Sequence, residues 1–436
     1  LVATGVTSLG AFTGQLIGVA EFDQYFGLIR ALLHGNGSNG ATTTVDSSNN
    51  VKTVTVQGSA TLSTAQAKFG SASLYCPNTG VSEKNGWKIT DHTDFDFGTS
   101  DWTVGCWVYR STNTYTGMIW VWPGAGTSRL FVQTDGRLRL QYADSGGSVD
   151  RTLSSTLPLT TWTFLEVCRR GADIEVWMDG FIICREVRNV TYTQNTSGDI
   201  YVGCEPTNGT SCFNGYIDEF CITATVARPS YYHFPASAAD PSWSSTVLLM
   251  QGNSFADSSS YSKTITTSGS PTIGSGTALL DDSYYQGATS SYFKAALGAD
   301  GSMTADFTVE MALANGGNNV VFMSEGPASY LYNNLYQSYG GTSLALPTSY
   351  SSYERHMLAI SRVGSSIRSF LDGKLIDTQT YSGTVDLQNL RFGYYIPNNN
   401  GYWTGAWDDI RITKGVGRWS ANYTLANVPT TPYFPG

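Results

Sequence analysis

The chain carries an internal repeat, and this feature constrains its fold more than any other. Six short segments of the first half recur in the same order in the second half, with shorter loops between them. One chance match means little, but six in one order indicate a duplicated domain. A length of 436 residues, too long for one compact core, agrees with two domains. The repeated segments are residues 32–35 and 248–252, 46–48 and 257–259, 101–104 and 306–309, 177–180 and 370–373, 201–203 and 391–393, and 215–220 and 405–410.

The repeat predicts the domain organisation. We expect an N-terminal arm over residues 1–24, a first domain over 25–235, a linker over 236–242 and a second domain over 243–436. The arm is uncharged up to Ala20, but Gly, Thr, Ser and Gln interrupt its apolar residues. It therefore resembles neither a signal peptide nor a membrane span, and we expect it to dock on another surface.

Each copy has the local pattern of β-structure. Residues 103–109 alternate, with Val104, Cys106 and Val108 on one face. The alternating run 173–178 stops at Asp179-Gly180, the signature of a tight hairpin turn. Aromatic residues make up 13% of the chain, charged residues only 14%, and there are 47 glycines, which argues against a helical bundle. The sequence predicts an all-β fold of two tandem antiparallel β-sandwich jelly rolls.

The charge balance excludes one class of partner. Lys and Arg total 25 against 34 Asp and Glu, so the net charge is −9. Binding to phosphates requires clusters of Lys and Arg, and none stands out. We therefore expect no nucleic-acid partner.

All seven cysteines lie in the first copy. Cys106, Cys168, Cys184 and Cys221 sit in strand-like runs, where Cys acts as a small buried hydrophobe. Cys204 and Cys212 bracket a polar loop, and the sequence leaves open whether they pair. The pattern fits folding in a reducing cell better than a disulfide scaffold.

Each copy resembles a laminin-G-like, concanavalin-A-like jelly-roll domain. The matching segments in the first copy are residues 32–35, 46–48, 97–108, 162–180 and 215–223, and in the second copy 248–252, 257–259, 306–311, 357–373 and 405–413. The closing segment 412–418, followed by Asn422-Tyr423-Thr424, is similar to a signature found in virion proteins of aquatic bacteriophages, and so is segment 63–70. In the second copy, Ala312-Leu313 and Gln251 depart from the pattern.

The resemblance implies a structural calcium ion that joins the opening turn to the closing strand. Asp46 with Asp218, and Asp257 with Asp408, are the matching ligand candidates, because hard cations bind carboxylate and carbonyl oxygens. The alternative is that Asp46 and Asp257 only cap their Asp-Ser-Ser turns.

Catalytic signals are weak. Residues 35–40 fit G-x-G-x-x-G, but a strand or loop follows where nucleotide binding needs a helix. Asp173 and Glu175 share a strand face, as glycanase carboxylates do, but their echo Ser366-Ile367-Arg368 lacks both. The histidines His34, His92, His233 and His356 are scattered. We therefore predict no enzymatic activity.

The resemblance thus implies a bacteriophage virion protein, exposed on the particle as a capsid decoration protein or a tail fibre, and we expect it to be non-enzymatic. Its expected partners are other virion proteins, further copies of itself and a host surface glycan. Glycan-binding residues stay unassigned, although Trp120, Trp122, Tyr394 and Tyr395 are candidates for stacking on sugars. The alternatives are a secreted or cell-surface lectin-like protein and a glycan hydrolase or lyase.

Overall fold

A computed structural model describes most of the chain. The described residues are 23, 25–78, 80, 84–125, 128–187, 195–196, 198–204, 211–229, 240–275, 283–286, 290–314, 320–324, 330–332, 335–337, 342–345, 354–395, 401–403 and 405–424. Nearly all of the predicted arm and most of the predicted linker lie outside these residues.

Short antiparallel strands, here β1 to β36, make up the structure. The first copy contains β1 (Ile29–Leu33), β2 (Val54–Gln57), β3 (Thr61–Ser63), β4 (Ser73–Cys76), β5 (Gly86–Ile89), β6 (Trp102–Arg110), β7 (Gly117–Trp122), β8 (Gly124–Ala125), β9 (Ser128–Val132), β10 (Arg137–Asp144), β11 (Gly147–Thr156), β12 (Trp162–Arg170), β13 (Asp173–Met178), β14 (Phe181–Glu186), β15 (Asn195–Thr196), β16 (Ile200–Val202) and β17 (Gly215–Ala224).

The second copy contains β18 (Thr246–Met250), β19 (Thr264–Ser268), β20 (Thr272–Ser275), β21 (Ser283–Gln286), β22 (Tyr292–Ala296), β23 (Ser302–Met303), β24 (Phe307–Ala314), β25 (Val320–Ser324), β26 (Tyr330–Tyr332), β27 (Leu335–Gln337), β28 (Ser343–Ala345), β29 (Arg355–Val363), β30 (Ser366–Leu371), β31 (Lys374–Thr380), β32 (Val385–Asp386), β33 (Asn389–Phe392), β34 (Tyr394–Tyr395), β35 (Gly401–Tyr402) and β36 (Ala406–Lys414). Among the described residues the helical elements are short 3₁₀ turns, at Phe26–Leu28, Thr93–Phe95, Trp243–Ser245 and Gly298–Gly301.

Both copies build the same two-sheet sandwich. The eight-stranded sheet runs β14-β13-β12-β6-β17-β4-β3 in the first copy, with β1 also paired to β17. Its counterpart runs β31-β30-β29-β24-β36-β21-β20, with β18 also paired to β36. A seven-stranded sheet accompanies each, in the orders β11-β10-β9-β7-β16-β5-β2 and β19-β22-β33-β25-β26-β27-β28. The predicted all-β fold of antiparallel jelly rolls is confirmed.

The hairpin turns follow the predicted chemistry. Asp179 and Gly180 have φ of 50° and 84°, and Asp372 and Gly373 have 48° and 70°. Positive φ at both central residues is the backbone of a type I′ turn, which matches the twist of the flanking strands. Each aspartate also accepts a hydrogen bond from the neighbouring strand, Asp179 from Phe164 N and Asp372 from Met357 N, both at 2.9 Å.

The two copies pack against each other. One buried cluster contains Trp177 and Ile182 of the first copy with Ala312, Ala314 and Ala406 of the second. Lys374 of the second copy pairs with Asp179 of the first, which joins the two hairpin turns. β14 also meets the start of β29 in an antiparallel bridge between Cys184 and Glu354.

Cysteine behaves largely as predicted. Cys76, Cys106, Cys168, Cys184 and Cys221 are free and buried. Burial raises the pKa of Cys76 and of Cys221 to about 12. Cys204 and Cys212 form a disulfide, which the sequence alone had left open.

In each copy, an ion pair joins the segment before the first strand to the segment after the last strand. Arg228 Nη2 lies 2.7 Å from Asp23 Oδ2, and Arg418 Nη2 lies 2.7 Å from Asp240 Oδ2. Asp23 lies in the predicted arm and Asp240 in the predicted linker, yet each packs into the copy that follows it in the chain. The segments just before β1 and β18 are therefore structural parts of the sandwiches.

Each copy has a buried glutamate near this ion pair, but the glutamate stands on different strands in the two copies. In the second copy, Glu310 on β24 receives hydrogen bonds from Arg411 at 2.8 Å and Trp419 at 2.7 Å. In the first copy Gly105 takes the place of Glu310, and Glu166 on the paired strand approaches it instead. Burial, only partly offset by Arg228 and Arg170, raises the pKa of Glu166 to about 7.

Glu166 predicts a pH dependence of stability. A carboxyl with a raised folded pKa stabilises the fold below its unfolded pKa, and the contribution is lost as pH rises through 7. Ionisation of Glu166 should therefore lower the free energy of unfolding by about 1.4 kcal/mol between pH 6 and 8. In urea unfolding, the free energy of unfolding of Glu166→Gln should therefore change less between pH 6 and 8, by about this amount. Asp91→Asn, at an exposed position, should keep the pH dependence of the wild type. An unchanged profile in Glu166→Gln would contradict the assignment.

Candidate functional site

Asp46, a predicted calcium ligand, anchors the opening turn. Its Oδ1 accepts hydrogen bonds from Leu32 N at 2.8 Å and Ser48 N at 3.0 Å. Its Oδ2 accepts from Ser48 Oγ at 2.9 Å and Lys52 N at 2.8 Å. A carboxylate offers about four lone-pair sites, so these donors occupy all of them.

Asp257 repeats this arrangement in the second copy. Leu249 N and Ser259 N donate to Oδ1 at 2.9 and 2.8 Å. Ser259 Oγ and Lys263 N donate to Oδ2, both at 2.7 Å. The repeated Asp-Ser-Ser motif is thus a turn cap in both copies, which was the alternative interpretation of these aspartates.

Asp218 and Asp408 lie at bulges of the closing strands. The residues after them, Glu219 and Asp409, have φ of 50° and 41°. Asp218 Oδ2 accepts from Lys68 N at 2.8 Å and Phe69 N at 3.1 Å, which holds segment 63–70 on the sheet. Burial raises the pKa of Asp218 to about 7 against the effect of these bonds.

The donor set does not fit a calcium site. Asp46 and Asp257 have no lone pair left for an ion, and a cation at Asp218 or Asp408 would need other oxygens. Among the described residues, no three His, Cys, Asp or Glu side chains form a group that could hold a metal ion.

Asp173 and Glu175, the two carboxylates compared above with those of glycanases, form ion pairs with arginine side chains. Asp173 pairs with Arg185 at 2.9 Å, and Glu175 lies 3.3 Å from Arg170 Nε. Glu175 is also fully buried and accepts from Trp177 Nε1 at 3.1 Å. The two carboxylates therefore belong to a network of ion pairs within the first copy.

Three of the four aromatic residues suggested for sugar stacking are buried. Trp120 and Trp122 are buried in the core of the first copy, so that suggestion is wrong for both. Tyr394 is buried and stacks on Tyr292, with ring centroids 5.0 Å apart. The side chain of Tyr395 lies outside the described residues. The alternating sequence pattern alone did not show which face of each strand packs against the core.

The structure brings together a Ser-His-Asp set that the sequence did not suggest. Ser154 Oγ lies 3.2 Å from His356 Nε2, and His356 Nδ1 lies 2.7 Å from Asp372 Oδ2. Serine hydrolases use this order of contacts. Here, however, Ser154 N donates to the Glu354 carboxylate. Acyl transfer needs free hydrogen-bond donors beside the serine to stabilise an oxyanion, and a carboxylate at this place would repel one. His356 is also enclosed between the two copies, so the set fits an anchor of their interface.

A groove lies on the outer face of the seven-stranded sheet of the first copy. Its volume is about 430 Å³. β7, β9 and β10 form its floor. Leu130 and Leu140 point into the core, so their strand neighbours point outward. A bulge on β7 places Met118 outward although Ile119 and Trp120 both lie in the core. The lining residues are Thr114, Tyr115, Thr116, Met118, Arg129, Phe131, Thr134, Arg139, Gln141 and Ser211.

Polar side chains make up most of the groove lining, and two of them are held in place. The Arg139 guanidinium lies over the Phe131 ring, 5.1 Å from its centroid. Arg139 Nε also donates to Asp150 Oδ1 at 2.7 Å, and Gln141 Nε2 donates to Asp150 Oδ2 at 2.8 Å. The hydrogen bond from Arg139 is the main cause of the lowered pKa of Asp150. These contacts fix the two donor side chains before any ligand binds.

The disulfide holds one rim of the groove. Cys212 forms a bridge with Met118 on β7, and Ser211, beside Cys212, lines the cavity. The Cys204–Cys212 bond therefore ties this rim to the end of β16. The sequence had marked Cys204 and Cys212 only as a possible disulfide and not as part of a site.

Residues 82–230 match the Laminin_G_3 family, described as the concanavalin A-like lectin/glucanases superfamily. The fold is the laminin-G-like, concanavalin A-like jelly roll. The match includes all lining residues of the groove. No curated protein matches the chain. No described helix is long and apolar enough to cross a membrane.

Several solved structures are similar to this jelly-roll chain. The binding domain of Paraclostridial mosquitocidal protein 1 is 13% identical over 88% of this chain and 98% of its own, with a TM-score of 0.38. Domain 4 of the extracellular arabinanase AbnA from Geobacillus stearothermophilus, in complex with arabinotriose, is 16% identical over 46% and 94%, at 0.35. Mouse laminin alpha1 domains LG4-5 are 12% identical over 93% of each chain, at 0.24.

Proposed function

We propose that this protein is a non-enzymatic glycan-binding protein and that the groove of the first copy holds the sugar. The groove itself carries the proposal, because it is a concave site that combines a few oriented polar groups with the half-buried ring of Tyr115. The lectin-like superfamily match over the same residues supports it.

The lining suits the two kinds of surface that a sugar ring presents. Tyr115, half-buried in the lining, offers its ring to the C–H face. The buried Phe131 ring supports the Arg139 guanidinium from below. Arg139, Gln141 and the threonine hydroxyls offer donors and acceptors to its hydroxyl groups. Because Asp150 already fixes Arg139 and Gln141, little side-chain entropy is lost on binding.

The proposal also includes where the protein acts and which molecules surround it. The sequence resemblance to phage virion proteins favours exposure on a virus particle, with the glycan on the host surface and with virion proteins or further copies of this chain as neighbours. A secreted or cell-surface lectin is the alternative setting. Both use the same groove.

A glycan array followed by calorimetry with the strongest soluble oligosaccharide tests the proposal. Phe131→Ala and Gln141→Ala should each weaken binding about tenfold or more, equivalent to about 1.4 kcal/mol. Tyr261→Ala, at an exposed tyrosine of the second copy, should bind like the wild type. The proposal would be contradicted if the protein bound no glycan, or if both groove variants bound the glycan as tightly as the wild type. Release of reducing sugar would contradict its non-enzymatic part.

A further inference from the structure

Four aromatic side chains form a row across the outer face of the eight-stranded sheet of the first copy. Trp162 pairs with Tyr109, Tyr109 with Tyr216, and Tyr216 with Tyr75, on four adjacent strands. The ring centroids are 5.6, 5.8 and 4.9 Å apart in that order. We call these four residues the aromatic row.

The row points away from the core. Val108, Ile217 and Leu74, next to row residues on their strands, are buried in the core cluster. Side chains alternate along a strand, so the row residues lie on the opposite face. All four are half-buried, which leaves part of each ring accessible.

The fold does not require aromatics at these positions. The same places in the second copy hold Arg355, Ala314, Ala406 and Gln286. Ala314 and Ala406 are buried in the contact with the first copy, where small side chains allow close approach. The row is therefore a difference between the duplicates that core packing does not explain.

The shape and charge of the row define what it can bind. Three strand spacings give it a length of about 14 Å. None of its side chains carries a charge at neutral pH, and its three phenol groups donate and accept hydrogen bonds. Next to it, Lys68 lies over the Trp107 ring, 3.8 Å from the centroid, so that cation is already engaged.

We propose that the aromatic row is a second binding surface, which takes an uncharged polysaccharide chain lying across the strands. The Tyr216 and Tyr75 rings, with planes 30° apart, pack on the apolar faces of sugar units. Tyr109, whose ring is at 77° to that of Tyr216, presents its edge, and the phenols bond to sugar hydroxyl groups. A long neutral chain suits the row better than a charged ligand, because the row offers no ion partner. The row lies on the other sheet from the groove, so it acts independently of the proposed groove site.

Affinity electrophoresis in gels that contain neutral polysaccharides (a β-glucan, a mannan or a xylan) tests this surface. The wild type should be retarded by at least one polymer, and Tyr109→Ala/Tyr216→Ala should lose about tenfold in affinity or more. Tyr109→Phe/Tyr216→Phe should keep most of the retardation, since the rings remain. Circular dichroism and thermal unfolding establish that the variants are folded.

Two controls distinguish polysaccharide binding by the row from binding in the groove and from self-association. Phe131→Ala, which alters the groove, should leave the retardation unchanged, so the two proposals fail separately. The inference is overturned if no neutral polymer retards the wild type, or if the alanine variant runs like the wild type. It is also overturned if light scattering shows that the row only joins copies of this chain, with an oligomer that the alanine variant dissociates.

Discussion

Replacing Asp46 by alanine is expected to lower the free energy of unfolding by about 3–5 kcal/mol. Asp46 is fully buried, and its carboxylate accepts hydrogen bonds from three backbone amides and one hydroxyl. Alanine would leave those donors in the protein interior without an acceptor, and each buried unsatisfied group costs about 1–3 kcal/mol. Urea unfolding followed by tryptophan fluorescence measures the loss.

The duplication supplies a matched control for this prediction. Asp257 accepts the same four bonds but is only half-buried, so water can replace it for some of the donors. Asp257→Ala should cost about 1–2 kcal/mol. Added calcium or a chelator should leave the melting temperature of the wild type unchanged. A calcium-dependent rise in melting temperature that Asp46→Ala abolishes would contradict the turn-cap interpretation.

Replacing His356 by alanine is expected to weaken the contact between the two jelly rolls by about 3 kcal/mol. His356 is buried between Ser154 of the first copy and Asp372 of the second. Its removal leaves a cavity between the copies and takes one hydrogen bond from the buried Asp372 carboxylate, which keeps those from Met357 N and Ser155 Oγ. Calorimetry should show two thermal transitions in the variant where the wild type shows one.

His92→Ala is the control for His356→Ala. His92 lies on the surface and its ring accepts one bond from Asp94 N, so we expect a change below about 1 kcal/mol. Unchanged unfolding of His356→Ala would contradict the anchor role. Ester hydrolysis by the wild type that is lost in both Ser154→Ala and His356→Ala would instead make the Ser-His-Asp set catalytic.

The fold could be predicted because its signals are local and occur twice. The Asp-Gly turns, the alternating strands and the ordered repeat each depend on residues close together in the chain. The contact between the copies could not be predicted in this way. Trp177, Ala312 and Ala406 sit in ordinary strand patterns, and nothing local shows that the outer faces of two sandwiches meet.

The candidate sites were harder to predict than the fold. Asp46 and Asp257 were singled out correctly as a repeated motif, but only the three-dimensional donors distinguish a turn cap from a cation ligand. Trp120 was proposed for sugar binding because it is aromatic, yet it faces the core. The groove and the aromatic row gather side chains from several strands, so sequence spacing does not reveal them.

The structure of the protein soaked with the oligosaccharide that binds most strongly on the glycan array tests the central claim most directly. The account predicts a sugar ring in the groove of the first copy, in contact with Tyr115 and hydrogen-bonded to Arg139 or Gln141. A sugar bound elsewhere, with the groove empty, would contradict it.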